Sequence, residues 1–412
     1  MGISTDKVLR RQLIFYAIIF MLIVIFGSRL LLSIGIVIFV LLTCIHKNFL
    51  QQIRTFISNP FLLGISVLFL IPLIAGLWSE DRITWLNLVR IKIPLFILPF
   101  AFAGDWQLTE KQWRQIAFVF LFMVFGGCCW SLWQYFQNLP VVNASYLRAQ
   151  VMPTPLERDH VRFSLLVAIS IVCASVVFMK VEKKPVRILL VSLSIFFIFY
   201  LHVLSARTGL FSFYLFLLFF AVYLIWRLKK PTWIIGLTFL ILLLPLLAWF
   251  TLPTFQNRLR YLAYEFPYVR NKAYLQGAND GNRMISLQAG WELLKEHPFG
   301  VGTGDLMNTT IQWYDRNYPQ MRENEKLYPS SEWLIYAGFA GWIGMVLFTV
   351  IMVLPFFQKL PSQNFFWVSL NCLMSLSFLF DIGLEIQFGV FIYAFIVLWW
   401  WKWFHLKPAN NR

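Results

Sequence analysis

Charged residues are scarce in this sequence. Asp, Glu, Lys and Arg together make up 13% of its 412 residues, about half of the roughly 25% that a soluble domain carries. Hydrophobic residues, by contrast, make up 59%. Apolar runs of about 20 residues, the length that crosses a hydrocarbon core of roughly 30 Å, recur along the whole chain. The sequence therefore excludes a soluble fold and predicts an all-α membrane protein.

Several catalytic signatures are also absent. The sequence contains no Walker A motif, no H-E-x-x-H, no G-x-S-x-G and no D-x-D pair that could hold a divalent metal with a nucleotide sugar. The five cysteines all fall inside apolar runs and lack metal-binding spacing, which is typical of small buried side chains. We therefore expect neither a metal site nor a tightly bound cofactor.

Twelve apolar segments predict about twelve transmembrane helices. The first run is followed at once by a second without a small-residue cleavage site, so we expect a spanning helix there and not a signal peptide. Residues 1–251 would hold spans one to nine, 252–332 a large extracytoplasmic loop domain, and 333–412 spans ten to twelve with a short cytoplasmic tail. The segments lie near 12–28, 29–45, 60–78, 90–104, 116–137, 161–179, 187–204, 208–226, 233–251, 333–356, 364–380 and 386–404.

Basic residues set the expected orientation. The positive-inside rule places the side richer in lysine and arginine in the cytoplasm, and this puts both termini there, although Arg82, Arg148 and Arg158 are exceptions. The formal net charge of +16 thus reflects topology, and no continuous basic stripe indicates nucleic-acid binding. The cytoplasmic set is Lys7, Arg10, Arg11, Lys47, Arg54, Lys111, Arg114, Lys180, Lys183, Lys184, Arg187, Arg227, Lys229, Lys230, Lys359, Lys402 and Lys407.

Two extracytoplasmic segments are longer than a tight turn, near 138–160 and 252–332. Long loops in a compact protein are usually functional or disordered. The second has helical patterning, with interleaved aromatics at 260–266 and an amphipathic run at 284–294. This pattern favours an ordered, largely helical domain.

Two arginines stand where a membrane protein could meet an anion. Arg207 lies in the turn Ser205–Leu210 that opens the eighth span, and an arginine at membrane depth is costly unless it reaches a headgroup or binds an anionic group. Arg283 follows the turn signal Gly277–Asn282 and would lie near a helix start, where the dipole and free N–H groups favour anions. Each could offer its guanidinium fork to phosphate or could simply be a solvated side chain.

Other polar groups cluster where the chain meets the outer membrane surface. His297–Gly304 (HPFGVGTG) has three glycines in five residues, which favours a tight structural turn over a phosphate loop. Ser330 is predicted to cap the tenth span, and Glu332 beside it is either solvated or a base. Glu157–Arg162 concentrates ionisable groups, and its His160 could carry a proton or make a plain hydrogen bond.

Together these motifs resemble the O-antigen ligase and polymerase family, the membrane glycosyltransferases of bacterial surface polysaccharide assembly. The resemblance covers about residues 60–400 and includes the expected layout of twelve spans with a large loop between spans nine and ten. The matching motifs are S-x-R-T-G-L at Ser205–Leu210, Arg283 followed by Trp291, H-P-F-G-V-G-T-G at His297–Gly304, and P-x-x-x-W-L-x-x-x-G-x-x-G from Pro329 to Gly341.

The resemblance implies a protein of the bacterial inner membrane that takes a glycan from an undecaprenyl-diphosphate carrier at the periplasmic face. A ligase would pass the glycan to a lipid A core and a polymerase to another repeat unit. Membrane lipids would be the remaining partners, and the loop 252–332 would face the periplasm. The resemblance also implies a metal-independent reaction with Arg207 and Arg283 on the diphosphate, and Arg162 is a third candidate for substrate binding.

The sequence departs from the family at the expected base. The family pattern begins Pro-His-Asn/Ser, whereas Pro329 is followed here by Ser330, and a serine cannot act as a base without help. The catalytic candidates are therefore Ser330 in the family position, Glu332 and His160. A flippase is the rival function from another class, but charges clustered at the outer edge favour an enzyme.

Overall fold

The computed structural model describes residues 5–226, 232–271, 273–358 and 364–405. Within these ranges every regular element is helical and none is a strand, which confirms the predicted fold class at this level. The helices are α1 (Thr5–Val24), α2 (Arg29–Cys44), α3 (Phe49–Ser58), α4 (Pro60–Ala75), α5 (Arg82–Lys92), α6 (Pro94–Phe102), α7 (Glu110–Gln137), α8 (Leu139–Ser145), α9 (His160–Lys180), α10 (Lys184–Leu204), α11 (Arg207–Trp226), α12 (Thr232–Thr251), α13 (Pro253–Asn271), α14 (Asp280–Glu296), α15 (Leu306–Asn317), α16 (Glu332–Val353), α17 (Asn364–Leu379) and α18 (Gln387–Phe404).

Among the described residues, seven helical segments are long and apolar enough to cross a membrane. Two bent pairs, α2 with α3 and α12 with α13, raise the number to nine if each pair is one span. The structure thus supports seven to nine of the roughly twelve spans that the sequence predicts. The seven are Pro60–Trp78, Arg82–Phe102, Glu110–Gln137, His160–Lys180, Lys184–Leu204, Arg207–Ile225 and Glu332–Phe357.

Local sequence explains where the helices start. Thr109 and Gln112 form a reciprocal capping box ahead of α7. The carboxylate of Asp159 accepts from the backbone N–H of Arg162 at 3.1 Å and so caps α9. Each cap satisfies donors that a helix leaves free at its N-terminus. Because α9 begins at His160, both His160 and Arg162 lie in its first turn.

Three sharp changes of direction shape the bundle. The helices of the α2–α3 pair meet at 109° and those of the α12–α13 pair at 98°, so α13 leaves the line of the span that precedes it. Helix α16 is broken at Ala340 and Gly341. Gly341 has φ +64°, a left-handed conformation that glycine adopts without the penalty of a Cβ atom.

Helix α9 lies at the centre of the bundle and α12 lies at its edge. Of the apolar window in α9, 89% is buried, against 56% or less in the other six spans, and α9 packs against α7, α10, α11, α17 and α18. On α12, Ile235, Phe239 and Leu242 are 75%, 63% and 67% exposed. An apolar stripe at helical spacing without a protein partner is the pattern of a lipid-facing surface.

Lysines from the predicted cytoplasmic set gather at one end of the bundle. Lys180, at the end of α9, pairs with Glu110 at the start of α7 at 2.9 Å. Lys402, near the end of α18, donates to the carbonyl oxygen of Gly104 at 2.9 Å. Helix α9 has 21 residues and rises about 1.5 Å per residue. Arg162, in its first turn, therefore lies roughly 30 Å from Lys180, at the opposite end of the bundle. Other members of the set lie outside the described residues: Arg227, Lys229, Lys230, Lys359 and Lys407.

Candidate functional site

The connection between α17 and α18 collects side chains from four other helices, α5, α9, α14 and α16, at the end of the bundle opposite Lys180. Arg283 of α14 donates to the carbonyl oxygen of Phe380 at 3.4 Å. Arg162 of α9 donates to the carbonyl oxygen of Ile382 and pairs with Asp381, both at 2.8 Å. Backbone and carboxylate of one short segment therefore hold two of the predicted substrate-binding arginines together.

Arg162 is almost entirely enclosed, with a side chain 9% exposed. It pairs with Asp159 at 3.3 Å as well as with Asp381, so two carboxylates balance its charge. Burial raises the pKa of the Asp381 carboxyl above its usual range, although the guanidinium groups of Arg162 and Arg283 act in the opposite direction. Through its ion pairs with Asp159 and Asp381, Arg162 links the start of α9 to the α17–α18 connection.

Arg207 opens α11 directly after a left-handed turn. Ser205 has φ +51°, and its hydroxyl donates to the carbonyl oxygen of His202 at 2.7 Å, which stabilises the turn locally. The guanidinium of Arg207 forms an ion pair with Asp280, the first residue of α14. Because 38% of the Arg207 side chain remains exposed, the guanidinium is accessible from outside the bundle.

Arg283 carries its charge with less compensation. Among the described residues no carboxylate lies within ion-pair distance of it, and its one side-chain hydrogen bond there is the long one to Phe380. Burial lowers the pKa of Arg283, and although Asp381 and Asp280 raise it, the positive charges of Arg207 and Arg162 lower it further. A partly buried guanidinium with unused donors beside two other cations favours an anionic ligand.

His160 reaches this cluster from the first residue of α9. Its side chain is half-buried, and its imidazole makes no hydrogen bond within the described part of the chain. Arg162, Arg258 and Arg283 all interact with it electrostatically. Folding therefore brings a histidine that is distant in sequence beside the two arginines of α9 and α14.

Glu332 is fully buried, so the predicted alternative of a solvated interfacial side chain is wrong. One carboxylate oxygen accepts from the backbone N–H of Leu384, and the other has no hydrogen-bond partner among the described residues. Lys92 and Glu385 are its strongest charged neighbours. Glu332 thus contacts the α17–α18 connection through Leu384, and it also interacts electrostatically with Arg162.

Two buried cations of this region were missed by sequence reasoning. Lys92, 0% exposed, pairs with Glu385 and donates to the carbonyl oxygen of Leu384 at 2.9 Å. Arg258 of α13 is 5% exposed, and its Nε and Nη1 have no hydrogen-bond partner within the described ranges. The signal for Lys92 was a lysine inside a predicted span, which is costly in lipid and therefore usually functional. Arg258 lies on the buried face of α13 with Phe255 and Tyr261, and this burial follows from the packing and had no signal in the sequence.

Ser330 does not occupy the predicted cap position. Helix α16 begins at Glu332 with Ser331 at the N-cap, so the prediction that Ser330 caps this helix is wrong by one residue. The Ser330 hydroxyl lies 2.7 Å from that of Ser286 on α14, and its backbone N–H donates to the same oxygen at 3.1 Å. These bonds attach α14 to the start of α16, which indicates a positioning contact.

The glycine-rich segment after α14 packs against the break in α16 and is hydrogen-bonded to it. Gly300 has φ +82°, and a Cβ atom there would lie 2.5 Å from the carbonyl oxygen of Phe339. The backbone N–H of Val301 donates to the carbonyl oxygen of Gly338 at 2.8 Å, and that of Trp342 to Pro298 at 3.0 Å. These contacts support the structural interpretation of the HPFGVGTG motif. Among the described residues, no group of three His, Cys, Asp or Glu side chains could hold a metal ion.

The cluster can offer several positive charges and one histidine to an anionic ligand at its accessible side. Behind it, a cavity of about 10 Å³ between Arg162, Asp381 and Tyr393 has room for about one water molecule. A larger ligand does not fit this cavity, whereas the guanidinium of Arg207 is accessible from outside the bundle.

Residues 189–349 match the family model described as O-antigen ligase. The matched segment contains Arg207, Arg283, Ser330 and Glu332, whereas His160 precedes it. No curated protein matches the chain.

Proposed function

From the O-antigen ligase family domain that this chain carries at residues 189–349, we propose that it transfers a glycan from an undecaprenyl-diphosphate carrier to a lipid A core or a related acceptor. The single observation that carries the proposal is the group of cations at one end of the bundle. Arg207 and Arg283 lie within the family segment, and Arg162 is tied to the same α17–α18 connection.

The arginines suit the leaving group of such a reaction. In the transfer, the bond from the anomeric carbon to a diphosphate oxygen breaks and a bond to an acceptor oxygen forms. Undecaprenyl diphosphate departs with the electron pair, so negative charge accumulates on it in the transition state. Guanidinium groups that are already in place stabilise this charge without reorganisation. The exposed Arg207 and the weakly compensated Arg283 are the proposed ligands.

The carboxylate of Asp280 would occupy the anion-binding position on Arg207 while no substrate is bound. Its ion pair with Arg207 neutralises the guanidinium while no anion is bound, and it sits at the start of α14, where the helix dipole also favours negative charge. A diphosphate that reaches Arg207 competes with this carboxylate. Arg162 is already paired with Asp159 and Asp381. It would keep both ion pairs when the substrate binds and would hold the neighbouring side chains in position.

His160 is the proposed general base that accepts the acceptor proton. Its imidazole has no hydrogen-bond partner among the described residues and interacts with Arg283 and Arg162, beside the proposed diphosphate ligands. Glu332 has a carboxylate too, but it is 0% exposed and one of its oxygens accepts from the backbone N–H of Leu384. The contact of Ser330 with Ser286 favours a positioning role for this serine.

The proposed topology follows the sequence expectation. If α1, α17 and α18 each cross the membrane in addition to the seven spans and the two bent pairs, the total reaches the predicted twelve. Lys180 and Lys402 would then lie on the cytoplasmic side with both termini, in the bacterial inner membrane, and 252–332 would be a periplasmic domain. The acidic and basic cluster around Arg283 would face the periplasm, where the lipid-linked glycan is displayed.

The decisive experiment offers purified, reconstituted protein the lipid-linked glycan of its host. With donor and lipid A core together, we expect the glycan on the core and free undecaprenyl diphosphate as the second product. Elongated glycan from the donor alone would instead identify a polymerase that uses the same site. Movement of intact donor across the bilayer without release of undecaprenyl diphosphate would identify a flippase and overturn the proposal.

A further inference from the structure

An open groove of about 1010 Å³ lies at the end of α14 remote from Arg283. One wall is the turn after α4, with Trp78 and Glu80, and the other is the end of α14 with the exposed face of α15. Since α14 continues for 13 residues beyond Arg283 and rises about 1.5 Å per residue, the groove is roughly 20 Å from the cationic cluster.

Hydrogen bonds fix the two walls relative to each other. The carboxylate of Asp305, ahead of α15, accepts from the backbone N–H groups of Glu80 at 2.7 Å and Asp81 at 2.9 Å. The backbone N–H of Gly304 donates to the hydroxyl of Ser79 at 2.9 Å. Because these bonds join segments more than 200 residues apart, the groove is a built feature of the fold and not the gap beside a loose loop.

The lining combines side-chain amides with an exposed indole. Asn308 and Gln312 are one helical turn apart on the outer face of α15, and neither side-chain amide makes a hydrogen bond within the described residues. Each amide can donate and accept, as each sugar hydroxyl can. Trp78 is 49% exposed and presents an aromatic face against which the C–H side of a sugar ring can pack.

The charge of the groove restricts its ligand. Four carboxylates face one guanidinium among the lining side chains, so an anionic ligand would be repelled. We propose that this groove binds a neutral oligosaccharide. The inference rests on the proposed function, for which the ligand would be either the distal sugars of the donor glycan or the acceptor saccharide. The charged lining residues are Glu80, Glu296, Asp305, Asp315 and Arg316.

A binding experiment tests the groove without the transfer reaction. The probes are the glycan released from the host's lipid-linked donor by mild acid and, separately, a neutral fragment of the core oligosaccharide that carries no acidic sugar or phosphate. We expect one of them to bind protein in lipid nanodiscs, and we expect Trp78→Ala and the double variant Asn308→Ala/Gln312→Ala each to weaken binding by about tenfold or more. Trp133→Ala is the control: it removes another exposed tryptophan, near the C-terminal end of α7. This variant should bind the probe as wild type does.

The result separates this inference from the proposed function. Whichever probe binds identifies the source of the saccharide, and the groove variants should raise KM for that substrate while kcat stays near wild type. If neither probe binds, or if the groove variants bind as wild type does, the groove is not a saccharide site. Arg283→Lys should lose most transfer activity and leave binding of the free probes intact, so normal transfer by that variant would count against the proposed function alone.

Discussion

Lys92 and Glu385 form an ion pair in the interior of the helix bundle, where neither side chain is more than 5% exposed. They are 293 residues apart in sequence. Lys92 also donates to the carbonyl oxygen of Leu384, and Leu384 in turn donates to Glu332. One buried lysine therefore anchors the inner side of the connection whose outer side contacts Arg162 and Arg283.

The first prediction concerns this anchor. Lys92→Met should destabilise the protein by about 3–5 kcal/mol, because it leaves the carboxylate of Glu385 buried without its partner. The double variant Lys92→Met/Glu385→Leu removes both charges and should recover most of this loss. Thermal unfolding of the detergent-purified protein measures both effects.

Lys180→Met provides the matched control for the anchor. Its pair with Glu110 has side chains 19% and 42% exposed, and such pairs contribute about 1 kcal/mol or less. If the double variant at Lys92 and Glu385 unfolds as early as Lys92→Met alone, the ion pair is not the source of the stability.

The second prediction concerns the arginines. Arg207→Lys and Arg283→Lys should each insert normally and lose most transfer activity, because lysine keeps the charge but lacks the planar fork that binds two oxygens. Loss of one charge-assisted bond costs about 1.5–3 kcal/mol, or roughly 10- to 150-fold in rate if it acts in the transition state. Arg260→Lys, at an exposed position of α13, is the control. Transfer close to wild type in both test variants would remove the diphosphate role.

Local signals were sufficient to predict the elements that carry these arginines. The turn signal before Arg283 and the amphipathic run after it correctly predicted α14, and the Ser205 turn correctly predicted the start of α11. Both depend on residues that are adjacent along the chain. The predicted cap at Ser330 was wrong because Ser331 is the residue that directly precedes the helix, while the hydroxyl of Ser330 contacts Ser286.

The contacts that organise the site could not be predicted in the same way. Whether Glu332 is solvated or buried depends on Leu384, and the environment of Arg162 depends on Asp381, 219 positions later in the chain. No periodicity encodes which helix ends become neighbours in a bundle. A sequence can indicate that a charge within a span needs a partner, but the partner itself follows only from the packing.

The third prediction tests the topology. A cysteine introduced at Gln276, an exposed position between α13 and α14, should react in intact cells with a membrane-impermeant maleimide, since the positive-inside rule places 252–332 outside the cytoplasm. A cysteine at Lys183, between α9 and α10, should react only after the membrane is permeabilised. Both variants are made in a background without the five native cysteines. The opposite pattern would invert the orientation.

The last prediction concerns the base. An acceptor hydroxyl must lose its proton during transfer, and a positioned base contributes about 10²- to 10⁴-fold. His160→Ala should lose rate of this order, together with the fall in kcat towards acidic pH that protonation of the imidazole causes. Glu332→Gln should keep the shape of the pH profile, because the amide oxygen can still accept from Leu384 and the side chain is buried away from solvent.

Transfer measured from about pH 3.5 to about pH 9 separates the two candidates, since the ordinary pKa values of a carboxylic acid and of an imidazole both lie in that range. His160→Gln is the companion variant: it keeps a polar side chain of similar length but cannot accept a proton near neutrality, so it should be as slow as His160→Ala. A purely structural role for His160 would instead leave the pH profile unchanged and let glutamine restore the rate. An altered profile in Glu332→Gln with a normal one in His160→Ala would transfer the role to Glu332. Full rate and an unchanged profile in both would mean that neither residue is the base.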